Sequence, residues 1–202
     1  MPDPQRPGGA ASSGNAAKLA LRDQLLTARH RLPVAELGSA AAAIADHLLA
    51  EPEVRRAATV AAYVSVSSEP GTGALLDGLG EAGKRVILPV ILADNDLDWA
   101  VHHGSTSLVP GRLGILEPAG TRLGLDAIAT ADVVLVPGLA VSATGLRMGR
   151  GGGSYDRALG RVPVGTFTCV LLYDDEVGRA VPVEPHDRPV AAAATPSGIT
   201  RF

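Results

Sequence analysis

The stretch DVVLVPGLAVSATGLRMGRGGGSYDRAL, residues 132–159, decides how this chain is read. Asp132–Val136 is a short apolar run closed by Pro137-Gly138. A run of that length and composition suits a strand buried on both faces, as in parallel sheets. A loop follows with five glycines (Gly145, Gly149, Gly151, Gly152 and Gly153) and two arginines, Arg147 and Arg150. Beyond it, Gly153–Leu159 reads as the start of a helix. Strand, glycine-rich turn and helix in that order place the loop at the carboxyl end of the strand, where open α/β sheets bind their ligands.

The same grammar extends in both directions. Thr59–Val64, Arg85–Val90 and Gly165–Tyr173 read as strands, Leu97–Val101 as an extended segment, and Val190–Ala194 as a short strand. Between them, residues 16–31 read as a helix with Leu19, Leu21, Leu25 and Leu26 apolar and Lys18, Arg22, Arg29 and Arg31 polar, stopped by Pro33. Further helices are predicted over Glu36–Ala50, with Leu37, Ala41, Ile44 and Leu48 on one face, over Gly71–Ala82, and over Leu125–Thr130. GRLGILEP, residues 111–118, reads as loop. Alternating strands and helices predict an α/β fold: a mostly parallel sheet with helices on both faces, in a single compact domain over residues 16–202. Residues 1–15, rich in Pro, Gly and Ser, read as a disordered leader without the apolar core of a signal peptide.

Bulk properties exclude several classes. The 202 residues carry a net charge of −3 and show no basic stripe, so a nucleic-acid partner is not expected. Cys169 is the single cysteine, which rules out an internal disulfide and a cysteine-rich metal site and fits a reducing, cytoplasmic setting. The longest apolar stretch, 133–146, is interrupted by Pro137, Gly138 and Gly145 and is too short to span a membrane. Aromatic residues are only 3% of the chain, so Val, Leu, Ile and Ala must fill the core. A monomer is expected.

The glycine loop favours phosphate. Glycines admit positive φ, so successive amide N–H groups can converge on an anion. A helix N-terminus adds partial positive charge, and Arg147 and Arg150 supply charge-assisted donors. Asp156 is placed to hold Mg²⁺, which takes carboxylate and phosphate oxygens. The loop is neither a Walker A sequence nor a Rossmann fingerprint; the plainer alternative is a flexible turn with two solvated arginines.

Read as Arg147-Met148-Gly149-Arg150-Gly151-Gly152-Gly153-Ser154-Tyr155-Asp156-Arg157, the loop resembles the signature of the 5-formyltetrahydrofolate cyclo-ligases, close to R-L-G-x-G-x-G-Y-Y-D-R. Other landmarks stand in the same order: Lys18 and Arg22, SVSSEPGT with Glu69 and Thr72, GILEP at 114–118, DVVLVPGLA at 132–140, and VPVEPHDRPV with His186-Asp187. The resemblance runs from about residue 16 to residue 195.

It implies ATP as co-substrate, Mg²⁺, and a reduced folate as acceptor. By the resemblance, Lys18, Arg22 and residues 147–155 (Arg147, Met148, Gly149, Arg150, Gly151, Gly152, Gly153, Ser154 and Tyr155) hold ATP. Val64, Glu69 and residues 150–154 line the folate pocket, Asp156 and Asp187 serve the metal, and Arg147, Arg150 and Asp156 are catalytic. The implied reaction phosphorylates the formyl oxygen of 5-formyltetrahydrofolate. N10 then attacks the activated carbon, giving 5,10-methenyltetrahydrofolate, ADP and phosphate.

Ser154 departs from the family's Tyr and removes a flat stacking surface worth about 0.5–1.5 kcal/mol. That change keeps open an ATP-dependent enzyme of the same fold with another small acceptor; a non-catalytic folate- or nucleotide-binding protein is the other alternative. Trp99 reads as core or as a pterin-stacking residue, and His102 and His103 as surface. Glu117 reads as a substrate contact or a loop anchor, and the run Asp174-Asp175-Glu176 as a solvated loop.

Overall fold

The computed structural model describes residues 10–182 and 188–202. In chain order the elements are α1 (Ala10–Arg29), α2 (Val34–Ala50), α3 (Pro52–Arg56), β1 (Thr59–Ala61), α4 (Gly73–Glu81), β2 (Arg85–Ile91), β3 (Leu97–Val101), β4 (Leu108–Pro110), β5 (Leu116–Pro118), β6 (Val133–Pro137), β7 (Ala140–Val141), β8 (Arg147–Met148), α5 (Ser154–Gly160), β9 (Phe167–Leu171), β10 (Ala192–Thr195) and β11 (Gly198–Arg201).

Seven strands form one sheet in the order β11-β10-β9-β6-β1-β2-β3. The five inner strands are parallel, and β3 and β11 close the two edges antiparallel. Residues alternate between two cores, as the period of two in a strand requires. Val60, Val86, Leu88, Val133 and Leu135 face α2 and α4, meeting Ile44, Leu48, Leu75 and Leu79. Ala61, Ile87, Val134 and Val136 face the other way, toward Trp99, Ile128 and Leu159. The apolar runs are unbroken because both faces are covered. Trp99 is core, 1% exposed.

The strand order reverses at the centre. β2 lies on one side of β1 and β6 on the other, so the segments leaving the carboxyl ends of β1 and β6 diverge and leave a crevice between them. Residues 62–72 form one wall and residues 137–153 the other.

Several boundaries differ from the sequence reading. α1 begins at Ala10, six residues inside the segment read as leader; no proline interrupts residues 8–32, and alanine favours helix. β1 has three residues, because the ladder ends with the bond from Ala62 N to Ile87 O and the chain turns away to build the crevice wall. Leu125–Thr130 is 3₁₀ rather than α. The segment read as loop at 111–118 is half of a β4–β5 hairpin. β10 continues through Pro196-Ser197 into β11, a strand not anticipated.

α1 presents a mostly cationic face inward. Its inward residues are Lys18, Arg22, Leu25 and Arg29, while Leu19 is 57% exposed. The spacing of four, three and four is that of a buried helical stripe, but the stripe is mostly cationic. α1 lies across the open carboxyl end of the sheet, packing Leu25 on Leu139, Ala140 and Met148 and turning its charges to the crevice.

Candidate active site

A cleft of about 330 Å³ occupies the crevice. It is lined by every residue the sequence singled out as a site residue except Asp187, which with His186 lies outside the described residues.

One wall is the 62–72 loop. Ser65 and Thr72 fasten its ends reciprocally: Ser65 N donates to Thr72 Oγ1 (2.9 Å) and Thr72 N to Ser65 Oγ (3.1 Å). Between them Glu69 turns inward, its Oε2 accepting from Val66 N at 2.9 Å. Burial pushes the Glu69 carboxyl above its ordinary range, and the Val66 amide and Arg150 only partly offset this. Val64 and Val66 continue this wall as apolar surface, facing Pro89, Ile91, Leu97, Ile115 and Leu116.

The other wall is the glycine loop. Gly151 (φ 97°) and Gly153 (φ 70°) adopt left-handed backbone, which turns the chain tightly enough to bring 149–153 to the cleft. Arg22 Nε donates to Gly149 O at 3.0 Å, so α1 grips the loop directly. Arg147 is buried; its Nη1 donates to Pro137 O at 3.2 Å and its Nη2 to Asp156 Oδ1. It therefore ties the end of β6 to the first turn of α5. Arg150 crosses the cleft, its Nε 3.2 Å from Glu69 Oε1, and its side chain is 44% exposed. That pair joins the two walls. α5 has only seven residues, so the loop's amides and arginines matter more here than a helix dipole.

Tyr155 packs between the two cores, and burial keeps its phenol protonated well above the usual range. Met148 is buried beneath the loop, and Ser154 opens onto the cleft. Glu117 is a loop anchor: its Oε1 accepts from Ile91 N at 3.0 Å, and an added Cβ at Gly111 would fall 2.2 Å from its carboxyl carbon.

Among the described residues no group of three metal-ligating side chains exists. Asp156 instead presents one partly exposed carboxylate beside the phosphate-type loop. That donor set suits Mg²⁺ arriving with a polyphosphate, since Mg²⁺ keeps several waters and uses one or two carboxylates plus phosphate oxygens.

Two residues escaped the sequence reading. Arg29 and Glu176 form a buried ion pair at the base of α1, Nε to Oε1 at 2.7 Å. Glu176, read as part of a solvated loop, is 2% exposed. A cation eleven residues after Lys18 on the same helical stripe was the available signal.

The 5-formyltetrahydrofolate cyclo-ligase family model matches residues 14–196. The chain belongs to that family. It is 41% identical over 187 residues to the 5-formyltetrahydrofolate cyclo-ligase of Mycolicibacterium smegmatis, covering 89% of this chain and 94% of that one. It is 34% identical over 172 residues to the 5-formyltetrahydrofolate cyclo-ligase of Escherichia coli K12, covering 81% and 90%. Among solved structures, the 5,10-methenyltetrahydrofolate synthetase of Aquifex aeolicus superposes with a TM-score of 0.77 at 28% identity, over 91% of this chain and 92% of that one. The fold of this cyclo-ligase family member is therefore the expected α/β sheet. Among its described residues no single helix is long and apolar enough to cross a membrane.

Proposed function

We propose that this chain closes 5-formyltetrahydrofolate to 5,10-methenyltetrahydrofolate at the expense of ATP. The observation that carries this reading is the division of one cleft into two chemistries that meet at the Arg150–Glu69 pair. Lys18, Arg22, Arg147 and the glycine loop make a cationic half suited to the triphosphate. Val64, Val66, Pro89, Ile91, Leu97, Ile115 and Leu116 make an apolar half suited to a flat ring system, with Glu69 as its acidic group.

The chemistry follows from that arrangement. A formyl amide is a poor electrophile, and its oxygen leaves poorly as hydroxide. Transfer of the γ-phosphoryl group to that oxygen turns it into a phosphate leaving group; N10 attacks the carbon, and the C–O bond breaks. Phosphoryl transfer demands alignment and charge neutralisation more than covalent help. Arg150, from the cationic wall, reaches the junction where the two substrates react. Arg147 holds Asp156 in place, and Asp156 would hold the Mg²⁺ that accompanies ATP, which would supply charge neutralisation for the transferring phosphoryl group. Glu69 binds the pterin or orients N10. The cleft is built from one chain, which suits a monomer, and a cytoplasmic setting accords with a single buried thiol.

Mixing the protein with 5-formyltetrahydrofolate and MgATP should produce the near-ultraviolet absorbance of the conjugated methenyl product, and only when ATP is present. ADP release with no methenyl band would reassign the acceptor, with Ser154 the residue to revert to Tyr. ATP binding with no turnover of either kind would leave a binding protein.

Glu69 supplies a second test. Its pKa is raised in the folded state, so the folded protein favours the protonated form, and the stability this confers is lost as pH rises. Glu69→Gln mimics the protonated carboxyl. Its melting temperature relative to the parent should rise as pH goes from about 4 to about 7, while its affinity for the folate falls. A Gln variant with parental turnover and folate affinity would remove Glu69 from the substrate site.

A further inference from the structure

Charged side chains this deeply buried are rare without a reason, and a buried ion pair is weak support for stability by itself. Arg29 and Glu176 are 2% exposed each. The Arg29 guanidinium meets Glu176 through Nε–Oε1 and Nη2–Oε2, both 2.7 Å. Nη2 also donates to Gly138 O at 2.7 Å. The guanidinium carbon lies 5.4 Å from the centre of the Tyr173 ring, and the Tyr173 hydroxyl donates to Ser68 O at 3.3 Å. Tyr173 N donates to Glu176 Oε2 at 2.9 Å, which fixes the carboxylate against the end of β9.

The position of this network matters more than its burial. Gly138 follows Pro137, whose carbonyl accepts from Arg147. Ser68 precedes Glu69. The Arg29 network thus touches the roots of both cleft walls, while its own helix carries Arg22 and Lys18 on the same face, seven and eleven residues upstream. A helix advances 1.5 Å per residue, so a slip of one residue at Arg29 moves both upstream cations by a comparable distance.

We propose that the Arg29–Glu176 pair is a positioning device for the nucleotide half of the site: it fixes the axial register and azimuth of α1, and so the places of Lys18 and Arg22 around ATP. An apolar contact at this point would hold the helix down but would allow it to slide and rotate. The bidentate pair with its third bond to Gly138 O allows one register. This rests on the assignment of Lys18 and Arg22 to ATP, and binding and turnover are read separately so that each can fail alone.

The test compares Arg29→Met, Arg29→Lys and the double variant Arg29→Met/Glu176→Leu, which removes both buried charges together. Binding of a non-hydrolysable ATP analogue with Mg²⁺ and binding of 5-formyltetrahydrofolate are measured by calorimetry, beside melting temperature. The double variant should melt below the parent, because Gly138 O and Tyr173 N lose their partners, but above Arg29→Met, which also leaves the Glu176 charge unpaired. The double variant should bind the ATP analogue on the order of ten- to a hundred-fold more weakly, as a misplacement of about 1 Å can cost. Folate affinity should fall less than analogue affinity, because the network reaches the folate wall only through the Tyr173 hydroxyl on Ser68 O and the more distant charge of Glu69. Arg29→Lys, which keeps the charge but loses the fork, should fall between parent and Arg29→Met. Parental analogue affinity in the double variant, or equal weakening of both ligands, would make the pair merely structural and overturn the proposal. Should the double variant not fold, the ratio of the two ligand affinities in Arg29→Lys decides in the same way.

Discussion

Arg150→Ala is expected to lower kcat by roughly 10²–10³-fold, the usual cost of removing one preorganised charge donor from a reaction centre. Its melting temperature should stay within a few degrees of the parent. Arg150 is the arginine of the loop that reaches across the cleft; its side chain is 44% exposed, and the buried Glu69 carboxyl, whose pKa already lies above its ordinary range, can take up a proton when the cation is removed. In the proposed reaction the negative charge on the phosphoryl group would grow beside that guanidinium, so the loss should appear in kcat and not only in KM. Losing the Arg150 charge also removes one of the influences that hold the Glu69 pKa down. A pH profile of kcat/KM should therefore show its carboxylate limb moving to higher pH. A rise confined to the folate KM, with kcat intact, would limit Arg150 to holding Glu69. Arg150→Lys should recover part of the rate, because it restores charge without the planar fork.

Gly145→Ala is expected to be strongly destabilising, because a left-handed backbone and a fixed backbone oxygen act at the same position. Gly145 has φ 80°, and a Cβ there would lie 2.5 Å from Val190 O and 3.2 Å from the Phe202 ring. The left-handed backbone costs about 1–2 kcal/mol with a side chain, and forcing a methyl into packed structure costs about 1–3 kcal/mol. The sum corresponds to a fall in melting temperature of roughly 4–20 °C for a domain of this size. The obstacle is a carbonyl oxygen whose own residue is tied to Gly145 through Val190 N to Gly145 O at 2.8 Å, so neither side can give easily. Gly104→Ala is the control, with φ 91° and nothing within 4 Å of the added carbon. It should show the backbone cost alone. Equal losses at the two positions would mean that the Val190 contact relaxes freely.

The parallel sheet and the glycine-loop wall of the cleft are legible because their signals are local, whereas Val64 and Glu69 on the other wall enter only through the family resemblance. A doubly covered strand is an apolar run, and a tight phosphate-type turn is a cluster of glycines; both are written within ten residues. In α1 the sequence reading turns Lys18 and Arg22 toward the ligand, and both line the cleft, but it does not place Arg29 inward or Leu19 outward. Amphipathic reasoning sends leucines inward, yet the partner of α1 is a ligand cleft, so Lys18 is buried and Leu19 is not. Glu176 was unreadable from its neighbours, since nothing in Asp174-Asp175-Glu176 says that one carboxylate of three will meet an arginine 147 residues earlier. The β4–β5 hairpin and β11 were missed because strands of three or four residues carry too little alternation to register.

That separation of 147 residues between Arg29 and Glu176 has a consequence for synthesis. The chain emerges from the ribosome with α1 first, and a nascent chain can use only the residues already outside. α1 grips Gly138 and Glu176, which are made 109 and 147 residues after Arg29. The helix that carries Lys18 and Arg22 therefore cannot make its anchoring contacts until residues 138 and 176 are both available, and the cleft it covers cannot be complete before then. A product that terminates before residue 176 lacks the anchor at the base of α1, however much of its sheet has formed.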